Sequence, residues 1–169
     1  TATEFHYLHA GSLHNHQYSH MYADFRYRRD RYTNDFFANS ISATMANRQF
    51  AISLNQNHFP GVCGESQAWQ NYGQNSWGLM AGLASSGYKV LQPIVMPNDD
   101  FSPTNISANT DDGTVVLSAA LGSTMVTPRQ AIDLTRNLFS NFQQSIPGHD
   151  ALVGRYGFRN AFNMGKTFT

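Results

Sequence analysis

The strongest constraint on this chain lies between Thr33 and Gly61. Phe36, Phe37, Ile41, Met45, Phe50, Ala51 and Leu54 recur near the spacing of one helix face. Thr33 or Asn34 stands where an N-cap is needed, with Asp35 in the first turn, and Pro60-Gly61 closes the segment. A helix of this kind persists in water only when its apolar stripe is covered. The rest of the chain must therefore supply the covering surface. Thr127-Pro128 opens a second helix, with Thr as N-cap and Pro at the first helical position. Its apolar side is Ala131, Ile132, Leu134, Thr135, Leu138, Phe139 and Phe142, and Pro147-Gly148 ends it. Shorter helices are expected at Ser76 to Ser86, stopped by Gly87 in a left-handed conformation, and within Val115 to Leu121, stopped by Gly122. The expected class is all-α.

Long connections join these helices. Residues 88–113 are rich in Pro, Asn and Asp, with a short strand at most between Lys89 and Met96. A connection of that length inside one compact unit usually has a task. Gly61 to Asn75 and Val153 to Phe162 read as glycine- and aromatic-rich loops. Neither the spacing of a βαβ unit nor a heptad is present.

Charge narrows the function classes. Eleven Lys and Arg balance eleven Asp and Glu in 169 residues, so the basic surface of a general nucleic-acid binder is missing. Charged residues make up 13% of the chain, about half the usual globular share. Asn, Gln, Ser, Thr and His carry the polar load, which suits contact with neutral hydroxylated ligands and a secreted or periplasmic setting. No run of about 20 apolar residues exists, and no membrane partner is expected. The single cysteine, Cys63, excludes a disulfide framework and a thiolate zinc site; an inert small residue is its simplest reading.

Several blocks resemble one known group, the glucoamylase-like domain proteins. These include β-1,2-glucan-active glycoside hydrolases and the related domain of cyclic β-1,2-glucan synthases. The blocks are HNHQYSHMYADFR (His14 to Arg26), YTNDFFANSISATMANRQFAI (Tyr32 to Ile52), NYGQNSWGLMAG (Asn71 to Gly82), DDGTVVLSAALGS (Asp111 to Ser123), VTPRQAI (Val126 to Ile132) and LVGRYGFRNAFN (Leu152 to Asn163). Their order matches the C-terminal part of such domains. The resemblance implies part of an (α/α)6 toroid with an acidic, aromatic-lined cleft. It makes residues 1–169 one glucoamylase-like segment, the C-terminal half of a larger catalytic domain. An N-terminal companion chain, or self-association, would complete the ring. It also implies hydrolysis or transfer of β-linked glucan, β-1,2-glucan first, without a cofactor. Where the family usually carries an acidic residue and Gly-Pro after the tryptophan, this chain reads WGLMAGLASSGY. That departure keeps a second reading in view, a non-catalytic glycan-binding or structural protein of the same fold.

Glycoside cleavage needs two carboxylates, one of them a proton donor with a raised pKa. The candidates are Glu65 in GVCGESQAW, Asp24 in MYADFR and Asp112 before Gly113-Thr114. Each has a simpler alternative. Glu65 would anchor loop amides, Asp24 would pair with an arginine, and Asp112 would cap a turn or helix. The cluster Arg26, Arg28, Arg29 and Arg31, interleaved with Asp24, Asp30 and Asp35, reads as an ion-pair network. His16, His20 and Arg26 are the expected polar contacts to sugar hydroxyls. Trp69, Tyr72, Trp77 and Tyr156 are candidate stacking platforms, with ordinary core packing as the alternative for Trp77. His16, His20 and Asp24 also make an H-x3-H-x3-D metal pattern. No Glu follows His16, so the HExxH mechanism is absent, and hydroxyl contact is the preferred reading.

Overall fold

The computed structural model describes residues 5–8, 10–57, 71–84, 87–90, 113–141, 152–155 and 157–163. It is mostly helical, with a few small strands. Helix α1 runs over Phe36–Asn57, α2 over Leu117–Gly122 and α3 over Pro128–Asn141. Short 3-10 turns occupy Leu13–His16, Tyr18–Met21 and Ser123–Met125. The strands form three antiparallel pairs. β1 (Ala81–Ala84) pairs with β2 (Gly87–Val90), β3 (Val115–Val116) with β6 (Ala161–Phe162), and β4 (Val153–Gly154) with β5 (Gly157–Phe158).

The expected long helices are present. Asp35, rather than Thr33 or Asn34, caps α1: its Oδ1 accepts the Ala38 N–H at 2.8 Å. The buried stripe of α1 is Ser40, Ala43, Thr44, Asn47, Phe50, Ala51 and Leu54. Its apolar half coincides with the expected face. Its N-terminal half is small and polar, and Phe36 stays 39% exposed.

That polar half binds backbone. Asn47 Nδ2 donates to the Leu79 carbonyl at 2.7 Å, and Asn47 Oδ1 accepts the Leu79 N–H at 3.0 Å. Eight residues to either side, Asn39 Oδ1 accepts the Leu8 N–H at 2.6 Å and Asn55 Nδ2 donates to the Tyr72 carbonyl at 2.7 Å. α1 thus satisfies the backbone of irregular segments that lack a ladder of their own.

The helix expected from Ser76 onward does not form. Residues 77–80 are not helical and lead into β1, and the hairpin with β2 follows. The reason is visible at Gly78, whose φ is 145°. Its carbonyl accepts the Val116 N–H at 2.9 Å, and a Cβ there would stand 2.4 Å from the Val116 carbonyl oxygen. The small residues permit close packing, but of a non-helical segment across β3. The stretch expected as a loop from Val153 to Phe162 contributes β4, β5 and β6 instead. Val115 pairs with Phe162 and Val116 with Ala161.

The main core gathers Phe50 and Leu54 of α1, Tyr72, Trp77, Leu79, Val115, Leu117, Leu134, Leu138 and Phe162. Each fully buried leucine there contributes about 2 kcal/mol. No described helix is long and apolar enough to cross a membrane.

One exposed turn carries strain. Thr33 is β-branched and holds φ 68°. Asp30 stabilises the loop around it: Oδ1 accepts the Tyr32 and Asn34 N–H groups at 2.8 and 2.9 Å, and Oδ2 accepts Asn34 Nδ2 at 2.9 Å. These bonds, the Asn34 side chain foremost, pull the Asp30 carboxyl below its usual range. Asn tolerates this backbone region better than Thr. Thr33→Asn should therefore raise stability by about 1 kcal/mol, read as a higher urea midpoint. An unchanged or lower midpoint would show that the turn relaxes at no cost.

Candidate functional site

The histidine-rich block is split by its 3-10 geometry. His14 faces a cavity of about 500 Å3, lined also by Gln17, Tyr18, Met80, Tyr88 and Met125. His16 and His20 face α1 instead. Gln17 fastens the block to the far side of the fold: its Nε2 donates to the Ala119 carbonyl and to Ser123 Oγ, both at 2.8 Å. Gly122 is small where it must be, since a Cβ there would lie 2.7 Å from Gln17 Oε1.

His16 is buried, edge-on to Tyr7 with centroids 5.8 Å apart, and its Nδ1 lies 3.3 Å from Asn39 Nδ2. It sits between Tyr7 and α1 rather than on an open surface. His20 is half-buried. Its Nε2 lies 2.8 Å from Ser40 Oγ, and its ring meets Phe25 and Phe37 edge-on. Burial lowers the His20 pKa, and the nearby charge of Asp24 opposes that shift.

Asp24, whose charge acts on this ring, forms a side-on pair with Arg26. Arg26 Nε donates to Asp24 Oδ1 at 2.9 Å and Nη2 to Oδ2 at 2.7 Å, while the Arg26 N–H reaches Oδ1 at 3.0 Å. The Arg26 side chain first, then its backbone N–H, hold the Asp24 carboxyl well below the usual carboxylate range. This favours the ionised form of Asp24. A carboxylate in that state accepts hydrogen bonds, and it is unsuited to donating a proton and weak as a general base. The expected ion-pair network forms only in part: Arg29 Nη2 lies 3.8 Å from Asp35 Oδ2, while Asp30 bonds Tyr32 and Asn34 of its own loop and Arg31 lies over the Tyr32 ring. Tyr22 and Tyr27, on either side of Asp24 and Arg26 in the chain, are 87% and 102% exposed.

Tyr72 and Trp77 lie elsewhere. They are 2% and 0% exposed. The Tyr72 hydroxyl donates to the Thr114 carbonyl at 3.1 Å, and both rings belong to the main core. Neither offers a face to a sugar, because the core closes over both sides. Glu65, Trp69, Asp112 and Tyr156 lie outside the described residues, as does Cys63. Among the described residues no three of His, Cys, Asp or Glu converge as a metal ligand set. Asn39 and Ser40 orient the histidines and Gln17 anchors their block, yet the sequence singles out none of them. The only signal of Asn39 and Ser40 is polarity at helix positions that would otherwise be apolar.

The chain is similar in sequence and backbone to known proteins. The Glycoamylase family model, described as "Putative glucoamylase", matches residues 2–168. The chain belongs to this family. A curated relative is the exo β-1,2-glucooligosaccharide sophorohydrolase (non-reducing end) of Parabacteroides distasonis. It is 30% identical over 136 residues, covering 80% of this chain and 14% of the relative. The crystal structure of a Bacteroides fragilis protein described as a putative glucoamylase superposes with a TM-score of 0.67 at 27% identity, over 95% of this chain and 31% of that one. An endo-β-1,2-glucanase from Chitinophaga pinensis, solved with sophorotriose and glucose, superposes with a TM-score of 0.63 at 27% identity, over 91% of this chain and 29% of that one. The chain thus spans a minor part of each family relative's length.

Proposed function

We propose that this chain is part of a glycoside hydrolase domain that cleaves β-1,2-linked glucan with paired carboxylates. The observation that carries the reading is the Asp24–Arg26 pair, with exposed tyrosines on either side of it in the sequence, in a chain whose relatives are β-1,2-glucan hydrolases. An anionic acceptor, a guanidinium donor and flat rings match the alternating hydroxyls and C–H faces of a neutral sugar. Asp24 takes the role of hydrogen-bond acceptor and charge stabiliser, the ionised member of the pair. The proton donor is then Glu65, with Asp112 as the further cleft carboxylate and Trp69 and Tyr156 as further sugar contacts.

The same reading assigns residues 1–169 to an (α/α)6 toroid completed by further helices, from a companion segment or a second copy. Ile132 and Phe139 on α3 and Leu83, Tyr88 and Val90 on the hairpin are large apolar side chains left exposed, as an inward face awaiting neighbours would be. Secretion or periplasmic location belongs to the proposal as well, since a glucan polymer is met outside the cytoplasm.

The test is hydrolysis of sophorotriose by the intact protein and its Glu65→Gln variant. The expected outcome is a loss of kcat of about 10²–10⁴-fold with folding unchanged, the usual weight of a positioned proton donor. Equal activity in Glu65→Gln removes Glu65 as the acid. Binding of sophorotriose without turnover by the unmodified protein selects the alternative, a glycan-binding descendant, which the altered segment WGLMAGL favours.

A further inference from the structure

Ser40 sits on the buried face of α1 and touches three polar atoms at once, two of them carbonyl oxygens. Its Oγ lies 3.0 Å from the His16 carbonyl oxygen, 2.9 Å from the Phe36 carbonyl oxygen and 2.8 Å from His20 Nε2. A hydroxyl has one proton, and a carbonyl oxygen only accepts. The Ser40 proton is therefore committed to the carbonyls, and its oxygen must accept from His20. That places the His20 proton on Nε2. In the neutral ring Nδ1 is then the acceptor. Nδ1 has no hydrogen-bond partner among the described residues and is not among the atoms sealed from solvent.

The adjacent residue settles the other histidine in the same way. Asn39 Oδ1 accepts the Leu8 N–H, so the group facing His16 Nδ1 is the amide NH2. His16 Nδ1 accepts, and its proton too is on Nε2. Two consecutive residues of one helix turn thus set the proton positions of two rings.

We propose that Ser40 is a positioning residue that locks His20 in the Nε2–H tautomer, so that Nδ1 accepts a hydrogen bond from a glucan hydroxyl beside the Asp24–Arg26 pair. The ligand half of this inference rests on the glucan reading above; the tautomer half does not. The geometry also explains why a serine occupies a buried helix position. Alanine would pack as well on α1 but would leave the imidazole free to exchange its proton between nitrogens. The nearby charged group, Asp24, pairs with Arg26, and no hydrogen bond from it to the ring is present among the described residues.

Long-range 1H–15N NMR of the imidazoles in the intact protein tests both halves. In the unmodified protein His20 should show the Nε2–H pattern, and Ser40→Ala should show a mixture of tautomers with the backbone amide spectrum otherwise preserved. Ser40→Thr, which keeps the hydroxyl, should restore the single pattern. Sophorotriose should shift His20 Nδ1 in the unmodified protein, and Ser40→Ala should raise KM about two- to threefold with kcat little changed, the share of rings lost to the other tautomer. An Nδ1–H pattern in the unmodified protein, or no change in Ser40→Ala, overturns the lock. A lock that behaves as expected while sophorotriose leaves Nδ1 unmoved overturns the ligand. Absence of any sophorotriose binding overturns the glucan reading and leaves the lock standing.

Discussion

Gly78→Ala should destabilise the protein by about 4 kcal/mol or more, placing it among the largest single-residue effects. Two independent terms act at this position. The backbone φ of 145° lies in a region that alanine rarely adopts. The added methyl would also stand 2.4 Å from the Val116 carbonyl oxygen and 3.3 Å from Ala119 Cβ. Val116 cannot withdraw cheaply, because its N–H is bonded to the Gly78 carbonyl at 2.9 Å and its strand pairs with β6. The control is Gly73→Ala. A methyl added at Gly73 would meet no atom within 4 Å, so its cost should stay within about 1 kcal/mol, the ordinary difference between the two residues. Urea unfolding of both variants decides the matter. Equal midpoints would show that the segment entering β1 does not cross β3 this closely.

Asn47→Leu should cost about 3 kcal/mol. The two side chains have similar size, so packing changes little and hydrogen bonding dominates. Asn47 is 1% exposed and serves both the N–H and the carbonyl of Leu79, itself fully buried. Leucine leaves two buried backbone groups unpaired, each at about 1–3 kcal/mol. Asn55→Ala makes the comparison, because Asn55 is only half-buried where it donates to the Tyr72 carbonyl. Its cost should be about 1 kcal/mol. A fall in the Asn47→Leu midpoint no larger than that of Asn55→Ala would show that water replaces the lost amide.

The helices were legible where local signals agree. The α1 stripe from Phe50 to Leu54 and the Thr127-Pro128 start of α3 both combine periodicity with a start or stop residue. The family resemblance was legible in the ordered blocks, and the Asp24–Arg26 pair in their spacing of two. Other features had no local signature. Trp77 to Ala84 is made of glycine, alanine and large apolar residues that suit a helix as well as a strand. Its state is decided by Asn47 and Val116, which lie far away in the chain. Val115 finds its partner only at Phe162, across a long connection. At the candidate site, Tyr72 and Trp77 looked like sugar platforms because aromatic rings serve cores and clefts equally, and burial alone separates the two. Ser40 and Asn39 escaped notice for the opposite reason. A helix position that is polar and buried cannot be told from a polar and exposed one without its neighbours.

The asparagines of α1 have a consequence for how the molecule is measured out. Asn39, Asn47 and Asn55 fall eight residues apart, and each holds the backbone of a different segment: Leu8 before the histidine block, Leu79 at the entry to β1, and Tyr72 at the start of the core loop. Greasy contact tolerates sliding; a directional amide bond does not. A slip of α1 by one turn would break every one of these attachments together. The helix therefore works as a ruler, with graduations that fix how far the imidazoles of His16 and His20 stand from the tryptophan-centred core.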